Sequence, residues 1–247
     1  MEKRTIEYFV AAVALWVAFA PPVACAIDKV DSPDVEKGEL DFESSGFRTF
    51  DSHSGKNNLQ DTEALVAYVP TERWEVDVGG LFGKAPDQSF RTDGVLIENA
   101  LQFSEKGSQW VDSGVMITLR GSTRAGLPDS VAAKLLLEKD VGKFINIANF
   151  GLEQEAGSHA SGGPDRTFEW STQYTINDGF APGFEVQSDL GKANEGSRFS
   201  QEQHYIGPAI YGTFLDHFHY EAAYLVGISS AASDSAVRFL FQYQTHF

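Results

Sequence analysis

The sequence predicts an all-β chain that folds as a single antiparallel transmembrane β-barrel of about 12 strands. Three observations predict this class. Apolar and polar residues alternate along many short segments, the connections between those segments alternate between long and short, and 13% of the residues are aromatic. Alternation with period two indicates that one face of each strand meets an apolar medium and the other face meets a polar one.

The composition excludes several other classes. Of the 247 residues, 42% are apolar and 22% are charged, which is too apolar for a disordered chain. A single cysteine excludes a disulfide scaffold and a cysteine-based zinc cluster. The formal net charge of −16 argues against a nucleic-acid partner, because phosphate would be repelled.

The first 26 residues have the pattern of a secretory signal peptide. An uninterrupted apolar run, 8–20, follows a short charged segment, and Ala24-Cys25-Ala26 supplies a small-x-small cleavage site. The run is too short to cross a bilayer as a helix. We predict cleavage after Ala26 and export of the mature chain. Two alternatives stay open: a buried helix, and a lipoprotein signal with Cys25 as the lipidated residue.

After the cleavage site we predict a short periplasmic segment, 27–38, followed by the barrel, 39–247. The predicted strands are 39–50, 60–68, 74–84, 93–104, 110–120, 130–140, 144–154, 166–177, 182–190, 203–214, 218–227 and 236–247. Each strand is close to the ~9–11 residues that a tilted strand needs to cross a bilayer.

The connections between the strands alternate in length. Long, polar loops follow the odd-numbered strands: 51–59, 85–92, 121–129, 155–165, 191–202 and 228–235. Short turns follow the even-numbered strands: 69–73, 105–109, 141–143, 178–181 and 215–217. An even strand number with long loops at one end and tight turns at the other is typical of outer-membrane barrels, and it predicts periplasmic chain termini. The barrel must also close, because an open edge in hydrocarbon leaves backbone groups unpaired.

The last strand carries the clearest alternation, and four aromatic residues share one of its faces: Phe239, Phe241, Tyr243 and Phe247. Phe247, preceded by Tyr243 and Phe241, looks like the C-terminal signal that the barrel-assembly machinery recognises. Further aromatic residues lie near predicted strand ends, as the girdle residues at membrane interfaces do. These are Trp74, Phe82, Phe103, Trp110, Phe168, Tyr220 and Phe247.

The polar strand faces are predicted to line the lumen. The predicted lumen-lining residues are Asp41, Glu43, Glu75, Asp77, Glu98, Arg120, Glu138, Glu169, Glu185, Asp189, Glu221 and Arg238. Their acidic excess favours cations or neutral polar solutes, since carboxylates in a low-dielectric channel repel anions. A second interpretation stays open: in a barrel of intermediate width, the charged residues could form a network that fills the lumen and conducts nothing.

Candidate chemical groups are few. A His-x-His pair in a strand would place both rings on one face, but His217 falls in a predicted turn and only His219 lies in a strand. Ser158 and His159 adjoin each other in a glycine-rich loop, which favours a solvated loop over a catalytic one. We therefore predict no catalytic residue, no cofactor and no metal site.

Two segments carry a family resemblance. Residues 32–43, from Ser32 to Glu43, resemble the opening of a group of proteobacterial exported barrels that are described as transporters or as meta-pathway phenol-degradation outer-membrane proteins. The later segment 205–208, Tyr-Ile-Gly-Pro, is similar to that group as well. The resemblance implies an outer-membrane location and a barrel fold. It transfers no catalytic residue and no substrate.

The sequence therefore predicts a passive channel or transporter for small solutes, in contact with the lipid of a Gram-negative outer membrane. Two alternatives stay open. One is an outer-membrane barrel enzyme that acts on envelope lipid or peptide, and the other is a soluble periplasmic β-barrel that binds a small ligand. The alternation of residues alone does not separate these alternatives from a channel.

Overall fold

The computed structural model describes residues 27–246. In this part of the chain, twelve antiparallel strands form one closed barrel, which confirms the predicted fold class. The strands are β1 (Glu39–Phe50), β2 (Gln60–Thr71), β3 (Trp74–Lys84), β4 (Arg91–Gln102), β5 (Asp112–Ser122), β6 (Asp129–Val141), β7 (Phe144–Ala156), β8 (Asp165–Tyr174), β9 (Ala181–Lys192), β10 (His204–Phe214), β11 (Phe218–Gly227) and β12 (Ser235–His246). No helix in the described range is long and apolar enough to cross a membrane.

The barrel closes between its first and last strands. β1 and β12 pair antiparallel along their whole length, from Glu39 opposite His246 to Phe50 opposite Ser235. Each remaining strand pairs with its two neighbours in sequence. The sheet between residues 27 and 246 therefore has no free edge, and its backbone groups are satisfied within the sheet.

The predicted strand bounds differ from the observed ones by a few residues. β2 continues through Pro70 to Thr71, because a proline at the very end of a strand removes little pairing, and the β2–β3 register shifts there. β4 ends at Gln102 and β5 begins at Asp112, which leaves 103–111 as the longest connection at the short-turn end. The predicted cleavage site at Ala26, the alternative role of Cys25 and the terminal Phe247 lie outside the described residues and stay predictions.

The outer face of the barrel is apolar. Along β4, Val95 is 54% exposed and Ile97 is 43% exposed, whereas Glu98, the next residue, is 2% exposed. On β12, Phe241 is 57% exposed beside the buried Leu240. The period-two pattern of the sequence therefore places an apolar face outside, as predicted, and an inner face on which charged and polar residues lie beside apolar ones such as Leu96 and Leu225.

Exposed aromatic residues lie at both ends of the barrel. Trp74 and Trp110 are exposed at the end that carries the short turns, and Phe90 and Phe199 are exposed at the end that carries the long loops. Of the other residues that the sequence placed in a girdle, Phe103 is exposed, and Phe82, Phe168 and Tyr220 are half-buried. Aromatic residues in these positions suit two membrane–water interfaces.

β10 carries a close backbone contact at Gly207. A Cβ atom at this position would lie 1.9 Å from the carbonyl oxygen of Tyr224 on β11. The next residue, Pro208, has no N–H group to donate, and the register between β10 and β11 passes over both residues. Within the segment 205–208, position 207 is therefore one where only glycine fits between β10 and β11.

We predict that Gly207→Ala lowers the thermal stability of the barrel, because its Cβ would force β10 and β11 apart at a cost of about 1–3 kcal/mol. The measurement is the temperature at which the SDS-resistant, heat-modifiable band of the purified protein is lost. Gly121→Ala is the matched control, since a Cβ there would meet its nearest atom at 3.5 Å, an ordinary contact. Equal melting temperatures for the two variants would contradict the prediction.

Candidate functional site: the lumen and its strap

The first described residues, 27–34, run inside the barrel, and we call this segment the strap. The chain enters the lumen at the short-turn end, where the N–H of Gly38 donates to the carbonyl oxygen of Val69 at 2.9 Å. Ile27, at the far end of the strap, is 4% exposed, and Lys29 and Asp31 are also buried. The structure thus places the first part of the segment 27–38, which the sequence predicts as periplasmic, inside the barrel.

Two buried amide side chains hold the strap backbone. Asn149 on β7 accepts a hydrogen bond from the N–H of Asp31 and donates one to its carbonyl oxygen, both at 2.8 Å. Gln187 on β9 holds Asp28 in the same way, at 3.3 and 3.0 Å. Both amide side chains belong to fully buried residues. The N–H and carbonyl groups of Asp28 and Asp31 are therefore satisfied by side-chain amides of the barrel wall, which fixes the strap at two residues.

Ion pairs join the strap to the barrel wall. Nζ of Lys29 lies 3.3 Å from a carboxylate oxygen of Glu43 on β1 and 3.3 Å from one of Glu98 on β4. Nζ of Lys134 on β6 lies 3.0 Å from Asp28 and 2.8 Å from Asp31. Lys29 of the strap thus pairs with two carboxylates of the barrel wall, and Asp28 and Asp31 of the strap pair with one lysine of the wall, Lys134. Removing any member would leave a buried charge without its partner, which is costly.

A second group of contacts fixes the strap near the short-turn end. Nζ of Lys106, in the β4–β5 connection, lies 2.9 Å from Glu138 and 3.1 Å from Asp34. Gln102 donates a hydrogen bond to Asp34 at 3.1 Å, and Ser32 donates one to Glu138. Burial lowers the pKa of Lys106, but hydrogen bonds and attraction from the two carboxylates outweigh burial and raise that pKa above its ordinary value.

Arg238 on β12 is the centre of a buried charged cluster. Its Nε lies 2.9 Å from Glu185 on β9, and its Nη2 contacts Glu185 and also lies 2.7 Å from Glu221 on β11. The hydroxyl of Tyr211 on β10 donates to Glu185 at 2.7 Å. Four successive strands are therefore joined through one guanidinium group, and charge-assisted contacts of this kind are the strong ones.

The twelve predicted lumen-lining residues occupy strand positions with two degrees of burial. Asp41, Asp77, Glu98, Glu138, Glu169, Glu185 and Arg238 are buried, and Glu43, Glu75, Arg120, Asp189 and Glu221 are half-buried. The structure brings several together around cations: Glu43 and Glu98 at Lys29, Glu138 at Lys106, and Glu185 and Glu221 at Arg238. Asp189 stands apart, because it accepts a hydrogen bond from the N–H of Gly191 at the long-loop end.

Sequence reasoning missed Lys29, Asn149 and Gln187. Lys29 precedes the first strand, where no periodic pattern assigns a side chain to either face. Asn149 and Gln187 are neutral, and the search for lumenal residues followed charge. Their strand parity could have found them, since Gln187 lies two residues from Glu185 on the same strand face.

A cavity of about 290 Å³ lies in the half of the barrel toward the long loops. Ile27, Asp28 and Lys29 of the strap form one side of it, and Arg120 on β5 forms part of another. The lining contains seven acidic residues, Asp28, Asp61, Glu63, Asp93, Glu98, Glu153 and Glu169, and four basic ones, Lys29, Arg120, Lys134 and Arg238. The cavity is therefore enclosed by ionisable groups with an acidic excess.

The four basic residues of the cavity are all paired with carboxylates. Lys29, Lys134 and Arg238 have the partners described above. Arg120 lies 3.4 Å from Glu63 on β2 and 3.2 Å from Glu153 on β7, so it bridges two facing parts of the wall. Each base in the lining is thus paired with carboxylates, although Nη1 of Arg238 has no hydrogen-bond partner among the described residues, and the surplus charge is negative.

The histidines singled out in the sequence have protein partners. The ring of His219 hydrogen bonds to Thr213 at 2.8 Å and to Gln244 at 2.6 Å. The ring of His217 contacts the carbonyl oxygen of Gln244 at 3.1 Å. Both ring nitrogens of His219 are thus hydrogen bonded to side chains, and His217 is hydrogen bonded through Nδ1.

One group among residues 27–246 brings three potential metal ligands together. Atoms of Glu36, Glu39 and His246 lie within 4.8 Å of one another at the short-turn end. Glu36 is exposed, and one of its oxygens lies 3.4 Å from Nε2 of His246 as an ion pair. Exposed acidic groups of this kind are common without a metal, so the group does not define a metal site.

The loop that holds Ser158 and His159 does not assemble a nucleophile with an acid. The hydroxyl of Ser158 lies 3.3 Å from Nδ1 of His159, and both residues are exposed. The carboxylates nearest in sequence are engaged elsewhere. Glu155 accepts hydrogen bonds from the N–H and the hydroxyl of Ser161, Glu153 pairs with Arg120, and Asp165 pairs with Lys192 at 3.0 Å. Activation of a serine needs a base that a third group orients, and this loop offers none among its described contacts.

We predict that Arg238→Met lowers the free energy of unfolding by about 3–5 kcal/mol, because Glu185 and Glu221 would stay buried without their cation. The measurement is urea unfolding of the detergent-solubilised barrel, followed by tryptophan fluorescence. Arg73→Met, in the exposed β2–β3 turn, is the matched control and is expected to change little. A loss of the same size in both variants would contradict the role assigned to the cluster.

Comparison with known proteins gives fold relatives only. No protein-family model matches the chain, and no curated protein matches it. The COG4313 outer membrane channel from Pseudomonas putida F1 is similar in structure, with a TM-score of 0.63 and 12% sequence identity over 89% of this chain and 100% of that one.

Two porins are similar to a comparable extent. The NanC porin has a TM-score of 0.56 and 12% identity over 84% of this chain and 99% of its own. The KdgM porin, solved in complex with disordered oligogalacturonate, has a TM-score of 0.55 and 8% identity over 85% and 99%. At these identities the likeness shows the fold: this chain has the architecture of a porin-like, twelve-stranded barrel.

Proposed function

We propose that the protein is an outer-membrane channel through which small solutes pass passively, with a lumen that favours cations and neutral polar solutes. One observation carries the proposal: a closed sheet with an apolar outer face encloses an interior in which buried charged and polar residues lie beside an apolar cluster. Such a sheet suits lipid, where backbone groups must pair within the sheet. A soluble barrel would instead place its apolar residues in the core and its charges in water.

The proposed orientation follows the connections. The long loops face the cell exterior, and the short turns and both chain ends face the periplasm, as in bacterial barrels of this architecture. The resemblance of residues 32–43 to the phenol-degradation group fits this proposal, since these residues include the entry of the strap and the start of β1. We propose that the chain belongs to this group of exported barrels.

The charge of the cavity supports the preference for cations. Seven acidic residues face four basic ones there, and the bases are paired. Walls of low dielectric constant strengthen the field of the remaining carboxylates, which raises the local concentration of cations and repels anions. The volume of about 290 Å³ is at the small end of ligand sites, so the solutes are small.

The strap supplies the constriction in this proposal. It runs between the cavity and the short-turn end, and it contacts β1, β4, β6, β7 and β9 through hydrogen bonds or ion pairs. A solute that leaves the cavity toward the periplasm must pass beside this segment. The strap, rather than an inward-folded external loop, then determines how large a solute crosses.

We predict opposite shifts in ion selectivity from two substitutions in the cavity. Glu63→Gln lowers the cation-to-anion permeability ratio because it removes a lumenal negative charge, and Arg120→Gln raises the ratio because it removes a positive one. The measurement is the reversal potential of the purified protein in a planar bilayer under a salt gradient. Glu72→Gln is the control, since this exposed carboxylate pairs with Lys37 in the short-turn region. Anion preference in the unmodified protein would refute the proposed selectivity.

We predict that deletion of residues 27–34 raises single-channel conductance, because it removes the segment that crosses the lumen. Gln187 and Asn149 would then meet water in the widened lumen, so their amides would not be left unsatisfied. The heat-modifiable band shows whether the deleted chain folds. Asn149→Ala with Gln187→Ala, which frees the strap without shortening the chain, should give larger current fluctuations. A folded deletion variant with unchanged conductance would show that the strap is not the constriction.

A further inference from the structure

Glu169 on β8 is a buried carboxylate with an open hydrogen-bonding position. The residue is 1% exposed, and its Oε2 atom has no hydrogen-bond partner among residues 27–246. It lines the same cavity as Ile27. A buried carboxylate oxygen without a partner is costly, so a donor is expected to reach it.

The bases of the cavity make no ion pair with Glu169 among the described residues, although Nη1 of Arg238 is itself without a hydrogen-bond partner. Lys29 contacts Glu43 and Glu98, Arg120 contacts Glu63 and Glu153, and Arg238 contacts Glu185 and Glu221. Lys134 contacts Asp28 and Asp31. Each basic side chain in the lining thus has carboxylate partners other than Glu169. Lys134 also attracts the Glu169 carboxylate through space, but no direct contact between them is present among the described residues, which leaves Oε2 open to a further donor.

The strap brings its first residue to the neighbourhood of Glu169. Gln187 on β9 is the direct cross-strand partner of Glu169 on β8, so the two side chains lie on the same face with Cβ atoms about 4.5–5.5 Å apart. Gln187 holds both the N–H and the carbonyl oxygen of Asp28. Ile27 is the residue before Asp28, about 3.8 Å away from Cα to Cα.

The direction of the strap decides which of its groups reaches the cavity. Gly38 lies at the short-turn end beside Val69, and the chain runs from there inward to Ile27. Ile27 is 4% exposed and forms one side of the cavity. Cleavage after Ala26, as the small-x-small motif predicts, would create a new amino terminus at this point.

We propose that the lumen contains a binding site for a primary ammonium group with Glu169 as its carboxylate, and that its occupant is the α-ammonium group of Ile27 in the processed chain. An α-amino group is largely protonated near neutral pH and offers three donors, which suits a carboxylate with an open oxygen. The inference rests on the predicted cleavage site and not on conduction. It holds equally if the lumen proves to be filled.

The proposal couples processing to folding. An uncleaved chain has a neutral peptide N–H at Ile27 in place of an ammonium group, so Glu169 would keep the attraction of Lys134 but would have no cation in direct contact. The strap would then be held by the amide pairs and by Lys29 and Lys134, but without its terminal ion pair. Removal of the signal peptide therefore adds one positive charge to a lumen with an acidic excess.

The first experiment measures the reactivity of this α-amine. The protein is extracted from outer membranes, the mass of its N-terminal peptide locates the terminus, and an amine-acylating reagent is applied near neutral pH to the folded and unfolded forms. We expect the folded α-amine to react at least about tenfold more slowly, as one unit of pKa shift alone would give. Glu169→Gln keeps the shape of the side chain and should raise the folded rate, whereas Glu75→Gln, a half-buried control on β3, should not.

The second experiment moves the ammonium group by one residue. An alanine inserted between Ala26 and Ile27 should lower the temperature at which the folded band is lost, and the decrease should vanish in the Glu169→Gln background. If Glu169→Gln fails to fold, the insertion alone still tests the proposal, through the temperature at which its folded band is lost.

Four results would overturn the proposal. They are a terminus elsewhere than Ile27, a folded α-amine that reacts as fast as the unfolded one, no change in the reaction rate with Glu169→Gln, and an insertion effect of equal size in both backgrounds. The absence of ion conduction would count against the proposed function and leave these readouts unaffected.

Discussion

The pairing of β1 with β12 is the constraint on which the rest of the structure depends. Twelve residue pairs close the sheet, and this closure gives the chain a continuous outer surface and an enclosed interior. In hydrocarbon an open edge would expose unpaired N–H and C=O groups, each at a cost of several kcal/mol. Once the sheet is closed, every strand must place alternate residues on opposite sides of one wall, and the fate of each side chain follows from its parity.

Enclosure changes the energetics of the inner charges. A carboxylate on an open sheet would be hydrated, whereas Glu185 and Glu169 are almost fully buried. Burial makes an unpaired charge expensive, so the cations on the lumenal side act as partners for several carboxylates each: Arg238 serves two strands and Lys29 serves two others. The acidic excess that these cations leave gives the lumen its proposed selectivity, and the same excess makes a further ammonium group favourable there.

The strap combines two kinds of fixation that have different consequences. Asn149 and Gln187 hold its backbone through uncharged hydrogen bonds, which are insensitive to salt. Lys29 and Lys134 hold it through ion pairs in an enclosed space, where screening by salt is weaker than at a surface. A segment held in both ways is a structural part of the lumen, and its position makes it the element that any solute would meet.

Much of the fold followed from local patterns in the sequence. Predicted and observed strands agree to within a few residues because alternation along β4 or β12 reflects a property of each strand alone, and the loop lengths follow from the up-and-down order. Errors occurred at strand ends, as at Pro70 and in the β4–β5 connection. At these ends, the pairing with neighbouring strands determines where a strand stops, and the residues of one segment alone do not indicate that pairing.

The sequence by itself determined the strand number, the apolar outer face and the acidic character of the inner positions, because each depends on residues close together in the chain. Only the tertiary structure decided which charges meet. Lys29 reaches Glu98, and Arg238 reaches Glu185, across sequence separations that no period describes. The strap inside the barrel is likewise a tertiary outcome. Its stability comes from partners on five strands, and those partners converge only when the sheet has closed.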